Sequence, residues 1–301
     1  MNGAVSLKYL TGRNIRLYFK DKITFFTSLI TPLLLLVLFS TFLKNIYRDT
    51  FLQMIPPSIK LDENIADAFT AGWMMSSILS VTCVTVSFCS NLIAANDKIS
   101  GAITDLSVSP VRSEIIYASY FLANLFTTLI ICLSTMLIGF IYIATQGWYY
   151  TAGETFVILL NVLLMVTFGS TLAAAFEFNI KTTGGISAVT ALVSALYGFI
   201  CGAYMPMSQF SKIIKDTLTF LPSSYGTVLL RNNYVRPVTD ELSGIVPGEL
   251  ISAIHDAVDV NIYFFDHRVE VWKMYIIVAV TALAAFSVYL IMTMFAKRKK
   301  S

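Results

Sequence analysis

The sequence predicts an all-α integral membrane protein with six transmembrane helices, organised as one domain over residues 1–301. Three observations carry that prediction. The chain is 56% hydrophobic and only 13% charged, whereas aqueous globular domains are roughly a quarter charged; its mean hydropathy is +0.72. Six of its apolar runs reach the length of about 20 residues that a spanning helix needs. Between the second and third runs lies a polar island, 96–112, with an amphipathic rhythm of its own.

In chain order, 5–22 is basic, with Lys8, Arg13, Arg16, Lys20 and Lys22 against a single Asp21. On a helical wheel Lys8, Arg13, Arg16 and Lys20 share one side and Leu7, Leu10, Leu17 and Tyr18 the other. This is the pattern of a helix lying in the interface against membrane lipids. A signal peptide fits poorly, because the apolar run that follows is too long and lacks a small-residue cleavage site. The first span is 23–43, with Pro32 expected to bend it, and 44–66 reads as a mixed-charge loop. The second span is 67–95, with Trp73 near its start as an interfacial anchor.

The island 96–112 then places Ile99, Ala102, Ile103 and Leu106 at i, i+3, i+4 and i+7, on one helical face. Asn96 or Asp97 is positioned to cap this helix, and Pro110 stops it by about Val108. The third span, 113–145, opens on Ser113-Glu114. An aromatic turn at 146–150 leads to the fourth span, 154–176, and a brief loop to the fifth, 184–204, which begins flexibly at Gly184-Gly185. The outer loop 205–271 carries two apolar bursts, around Phe210–Leu218 and Tyr225–Leu230, each too short to cross and therefore re-entrant or interfacial. The sixth span is 272–296, closed by Lys297-Arg298-Lys299-Lys300.

Orientation follows from counting charges. With both termini in the cytoplasm, the inner segments hold twelve basic and five acidic side chains, net +7. The outer segments hold nine basic and thirteen acidic, net −4, and the two together give the chain's +3. That is the positive-inside bias, and it puts 96–112 in the cytoplasm. Trp73, Trp148 and Trp272 then all fall at the outer interface. The basic residues lie along membrane edges, a poor footprint for nucleic acid.

Catalytic signatures are missing. There is no G-x-x-x-x-G-K-[ST] phosphate loop, so the chain is not expected to hydrolyse ATP. Cys83, Cys89, Cys132 and Cys201 sit inside apolar runs without CxxC spacing and read as buried thiols. His255, Asp256, Asp259, Asp266 and His267 in the outer loop have no fixed ligand spacing, so no metal is expected. Glu177 reads as a boundary carboxylate reaching water. Charges within the spans are nearly absent, which argues against an ion-coupled pump.

Two spans carry polar stripes. The second has Ser76, Ser80, Cys83, Ser87 and Asn91 at steps of three and four, and the fifth has Ser187, Thr190, Ser194, Tyr197 and Cys201. Each lies on one helical face. Two readings stay open: close helix packing through small residues, or the lining of a pathway for an amphipathic solute.

The order of parts resembles the permease subunit of the ABC transporter type-2 exporter family. The local matches are Asp97-Lys98, Gly101, Leu106 and Ser109-Pro110 in the island, and Tyr204-Met205-Pro206 leading into Leu221-Pro222-Ser223-Ser224-Tyr225 and Arg231 in the outer loop. Asn96-Asp97-Lys98 departs from the family's more usual Glu followed by a basic residue, and the loop after Arg231 is longer than in compact members.

The resemblance implies a separate cytosolic ATP-binding cassette subunit that holds ATP and Mg, while this chain binds no cofactor. It implies a second permease copy, identical or related, and a bacterial cell membrane. Coupling to the ATPase is expected through Asp97, Lys98, Ile99, Gly101, Ile103, Leu106 and Pro110, with Ile99, Ile103 and Leu106 as the contact face. The substrate pathway is expected along Ser80, Cys83, Ser87, Asn91, Thr190, Ser194 and Tyr197. The cargo class is a drug, antimicrobial peptide or lipid-like toxin moved out of the cell. The competing class is a polytopic membrane enzyme acting on lipids, for which only the outer loop offers candidate residues.

Overall fold

The computed structural model describes residues 3–57, 59 and 61–298. Of the closing basic run, Lys299 and Lys300 lie outside the described residues. The helices are α1 (Gly3–Lys20), α2 (Lys22–Leu38), α3 (Lys44–Met54), α4 (Glu63–Ile99), α5 (Ala102–Val108), α6 (Ser113–Gln146), α7 (Ala152–Glu177), α8 (Thr183–Ile200), α9 (Lys212–Leu218), α10 (Pro222–Glu241), α11 (Gly248–Ala257) and α12 (Val271–Arg298). A two-residue hairpin, β1 (Tyr263–Phe264) against β2 (His267–Arg268), precedes α12. Six helical stretches among the described residues are long and apolar enough to cross a membrane: Lys22–Met54, Glu63–Ile99, Ser113–Gln146, Ala152–Glu177, Thr183–Ile200 and Val271–Phe295.

The bundle is built around α4. It packs against α6, α7, α10, α2 and α8, and almost every residue from Ile65 to Asn91 is buried. Its composition explains this central place. Gly72, Ser76, Ser77, Ser80, Cys83 and Ser87 are small enough for neighbouring backbones to approach. A Cβ on Gly169 of α7 would stand 2.7 Å from the Cys83 carbonyl, and one on Gly72 would stand 2.7 Å from the Tyr234 carbonyl of α10. Several of its hydroxyls bond back to their own helix: Thr70 donates to the Ala66 carbonyl at 2.8 Å, Thr82 to Ile78 at 2.7 Å and Ser87 to Cys83 at 2.7 Å.

Several boundaries differ from expectation, each for a local reason. Residues 44–54 are helical rather than loop, because Tyr47 and Phe51 pack on Trp73 and Phe69 with ring centroids 4.1 and 4.0 Å apart. Arg48 also pairs with Asp67 at 3.1 Å. Trp73 is consequently no interfacial anchor: it is 1% exposed. The helix runs unbroken through Pro32, and the irregularity comes later as a π-helical turn at Phe39–Leu43. The fifth span ends at Ile200 instead of 204, because Gly202 takes φ +73° and Tyr204 turns back onto Phe199 at 5.2 Å.

In the segment 205–271, the two apolar bursts were expected to be re-entrant or interfacial. Its second apolar burst belongs to α10, a 20-residue helix buried against α4, α7 and α12. It is a core element of the bundle, not an interfacial one. Trp148 and Trp272, by contrast, are exposed.

Candidate functional site

At one end of the bundle, α4, α5 and α6 form the loop that the sequence singled out. It is two helices and a joint, not one helix. Asn96–Ile99 complete the last turn of α4, Gly101 takes a left-handed φ of +89°, and only Ala102–Val108 form α5. Glycine is what permits that joint, and a side chain there would be strained although the space around it is open. Asp97, Lys98 and Ile99 therefore do not continue the face of α5.

The expected contact face is also turned around. Ile103 is only 6% exposed and packs on Ile116 and Tyr120 of α6, with Leu106 half-buried against the same cluster. Ile99 is half-buried at the end of α4. These residues fix α5 to its own bundle. The side facing away carries Thr104, Asp105, Ser109, Pro110 and Val108, the last 85% exposed.

Asp97 and Lys98 face inward as well. Asp97 Oδ2 pairs with Arg13 of α1 at 3.1 Å and accepts the Tyr120 hydroxyl of α6 at 2.6 Å. Next to it, Asn14 donates to Ser119 at 3.3 Å, so the buried side of α1 joins the polar Ser6, Thr11 and Asn14 to Tyr18 of the expected apolar face and is fastened to α6. The Lys98 ammonium donates to the Phe178 carbonyl beyond α7 and lies 4.6 Å from the centroid of the Phe178 ring. The loop base is thus tied to α1, α6 and the α7–α8 turn together.

Glu177, the last residue of α7, is 2% exposed and does not reach water. Asn91 of α4 donates to its Oε2 at 2.8 Å and Thr190 of α8 to its Oε1 at 3.4 Å. A cavity of about 30 Å³, room for about one water, separates it from Lys98 and is also lined by Tyr117, Tyr120 and Tyr289. A second, smaller void shares Asn91 and Tyr120 and is lined by Ser90 and Asn124, whose Oγ and Nδ2 have no partner.

The polar stripes are brought together inside the chain. Ser80 shares a 2.5 Å hydrogen bond with Thr227 of α10, Ser87 one of 3.3 Å with Ser170 of α7, and Cys83 is buried. Asn91 and Thr190 meet at Glu177. Tyr197 is buried and Ser194 half-buried. Within one chain Ser80, Cys83, Ser87 and Asn91 of α4 are buried; of the α8 stripe, Ser187 is exposed and Ser194 half-buried.

At the opposite end, Arg231 of α10 is 0% exposed and gathers four partners. It donates to the Val258 carbonyl at 3.0 Å, the Gly202 carbonyl at 2.8 Å and Ser77 of α4 at 3.2 Å, and pairs with Asp259 at 3.3 Å. Asp259 also accepts the backbone N–H groups of Met207 and Ser208. Burial pushes the Asp259 carboxyl up despite the guanidinium and these donors. Asp256 accepts from Asn261 and Tyr263, at 2.6 and 3.0 Å, and His255 meets Thr239 at 2.9 Å. No group of metal-ligating side chains assembles among the described residues.

Sequence reasoning missed Arg13, Tyr120, Phe178 and the burial of Glu177. A basic residue on α1 and a carboxylate on α4 announce no pairing by spacing. Glu177 was detectable in one respect: it stands directly after an unbroken apolar run, where a free carboxylate is costly. Among curated proteins, no sequence matches this one. The profile of the ABC-2 family transporter proteins matches residues 52–295, from the end of α3 almost to the end of α12. The chain therefore belongs to the ABC-2 transporter family: it is the multi-pass membrane permease subunit of an ABC transporter, the partner of an ATP-binding cassette ATPase rather than an ATPase itself.

Proposed function

We propose that this permease exports an amphipathic substrate, a drug, antimicrobial peptide or lipid-like toxin, with α5 as the element that receives the ATPase. The observation that carries the reading is the two-sidedness of α5. Ile103 and Leu106 hold it to α6 while Thr104, Asp105, Val108 and Pro110 face away from the bundle. A short, exposed helix that is fastened rigidly on its inner side is suited to pass a push into the spans. Asp97 and Lys98 act one step behind it, as the joints to α1 and to the α7–α8 turn.

ATP and Mg belong to the partner, which supplies the hydrolysis; this chain supplies the receiving surface and the path. Both termini and α5 lie on the cytoplasmic side, a reading supported by the charge balance between the two sets of loops. Two permease copies enclose the pathway. The exposed face of α8, with Ser187, Leu192 and Leu196, lines or closes it, with half-buried Ser194 at its margin.

The test is to replace Val108 with Asp and, separately, Asp105 with Arg, and to purify each variant with its ATPase. Both permeases should remain folded while ATPase recovery and efflux of a fluorescent amphipathic dye fall. Normal recovery and efflux in both would remove α5 from the docking surface.

A further inference from the structure

We propose that Lys98 and Glu177 are a switched ion pair: the Lys98 ammonium leaves the Phe178 carbonyl for the Glu177 carboxylate when α5 is displaced. This rests on the reading of α5 as the coupling element and names the positioning residues that carry its motion inward.

The two acceptors open to Lys98 are on consecutive residues, Glu177 and Phe178, at the C-terminal end of α7. The macrodipole of α7 favours a cation there in either position. In the arrangement described, the ammonium takes the carbonyl and the face of the Phe178 ring. Among the described residues the buried carboxylate stands in no ion pair and has only the two neutral donors Asn91 and Thr190. Both Lys98 and Glu177 line the same cavity of about 30 Å³. The other titratable groups that line it among the described residues are the phenols of Tyr117, Tyr120 and Tyr289, and Lys181 in the α7–α8 turn is a second cation close enough to act on Lys98.

The position of Lys98 in the chain makes it responsive. It stands in the last turn of α4, three residues before the Gly101 joint, so a displaced α5 moves it first. Glu177 in turn holds α4 through Asn91 and α8 through Thr190. A charge-assisted partner outcompetes a neutral one, and the 3.4 Å contact from Thr190 is the weaker of the two. Arrival of Lys98 therefore releases α8, whose exposed side carries Leu192, Leu196, Phe199 and Ile200.

The experiment uses the permease co-purified with its ATPase in lipid nanodiscs. Glu177→Gln and Lys98→Met are each expected to lower substrate-stimulated ATP turnover about tenfold, in the usual range of coupling effects. The double neutral variant should be no worse than either single one, and the exchange Lys98→Glu with Glu177→Lys should recover a large part of the loss. A second readout is structural. Cysteines at 98 and 177, in a chain whose native cysteines are replaced, should be bridged by a short bifunctional thiol reagent faster in the ATP- and vanadate-trapped complex than without nucleotide. Wild-type turnover in Glu177→Gln, no recovery on exchange, or bridging indifferent to nucleotide would overturn the pair while leaving α5 as the docking helix. Failure of the wild-type chain to retain an ATPase would overturn the coupling reading itself.

Discussion

Arg13 on α1 and Tyr120 on α6 converge on a single oxygen of Asp97, at 3.1 and 2.6 Å, from positions 84 and 23 residues away. This contact turns the amphipathic N-terminal helix into part of the bundle. Replacing Arg13 by Met removes one of its fastenings. Because Arg13 and Asp97 are partly solvated, the loss is about 1 kcal/mol or less. The expected outcome is faster proteolytic release of α1 with the melting temperature of the bundle nearly unchanged.

The clamp at the other end is stiffer. Arg231→Met strands the buried Asp259 carboxylate and frees Ser77 and the Gly202 and Val258 carbonyls at once. Breaking a buried pair from one side costs about 3–5 kcal/mol. Thermal unfolding in detergent should show a large drop for Arg231→Met. A drop of similar size is expected for Asp259→Ala, and a double variant should lose less than the two combined.

Gly169 permits the crossing of α7 over α4. Alanine there places a methyl against the Cys83 carbonyl, which is backbone and does not yield. Overpacking of this kind costs about 1–3 kcal/mol. Gly169→Ala should reduce folded yield and stability, whereas Gly12→Ala, with open space around it, should not.

The lobe formed by α11 and the hairpin should be sensitive to acid. Burial, and then the nearby Arg236, lower the His255 imidazole from its ordinary value. The unfolded lobe then binds a proton more readily than the folded one. Its stability is full at neutral pH and is lost as pH falls below about 6.5. Hydrogen exchange of α11 should accelerate on acidification in the wild type and less so in His255→Gln.

Much of the architecture was legible because a spanning helix announces itself by apolar length alone. The six spans follow from that signal, and the short helix before the third follows from its own amphipathic rhythm. What escaped was decided by partners distant in sequence. Residues 44–54 look like a loop until Tyr47 and Phe51 find Trp73 and Phe69. The polar half of α10 looks external until Arg231 finds its four acceptors. The amphipathic rhythm of 96–112 was real, but periodicity cannot see that Gly101 divides it or that Ile103 is spent on Ile116 and Tyr120. For Ser80, Ser87 and Asn91, the spacing correctly put them on one face, and only the structure shows α7 and α10 already lying against it.

α4 is longer than the bilayer core is thick. At about 1.5 Å per residue, its 37 residues measure roughly 55 Å, against about 30 Å for the hydrocarbon core. It thus overreaches the bilayer as a single unbroken rod. It is gripped near its middle by Arg231 through Ser77, and its near end carries Asp97 and Lys98. Tilting such a rod at the α5 end is a lever movement with the Arg231 clamp as its fulcrum, so the Glu63 end swings the opposite way.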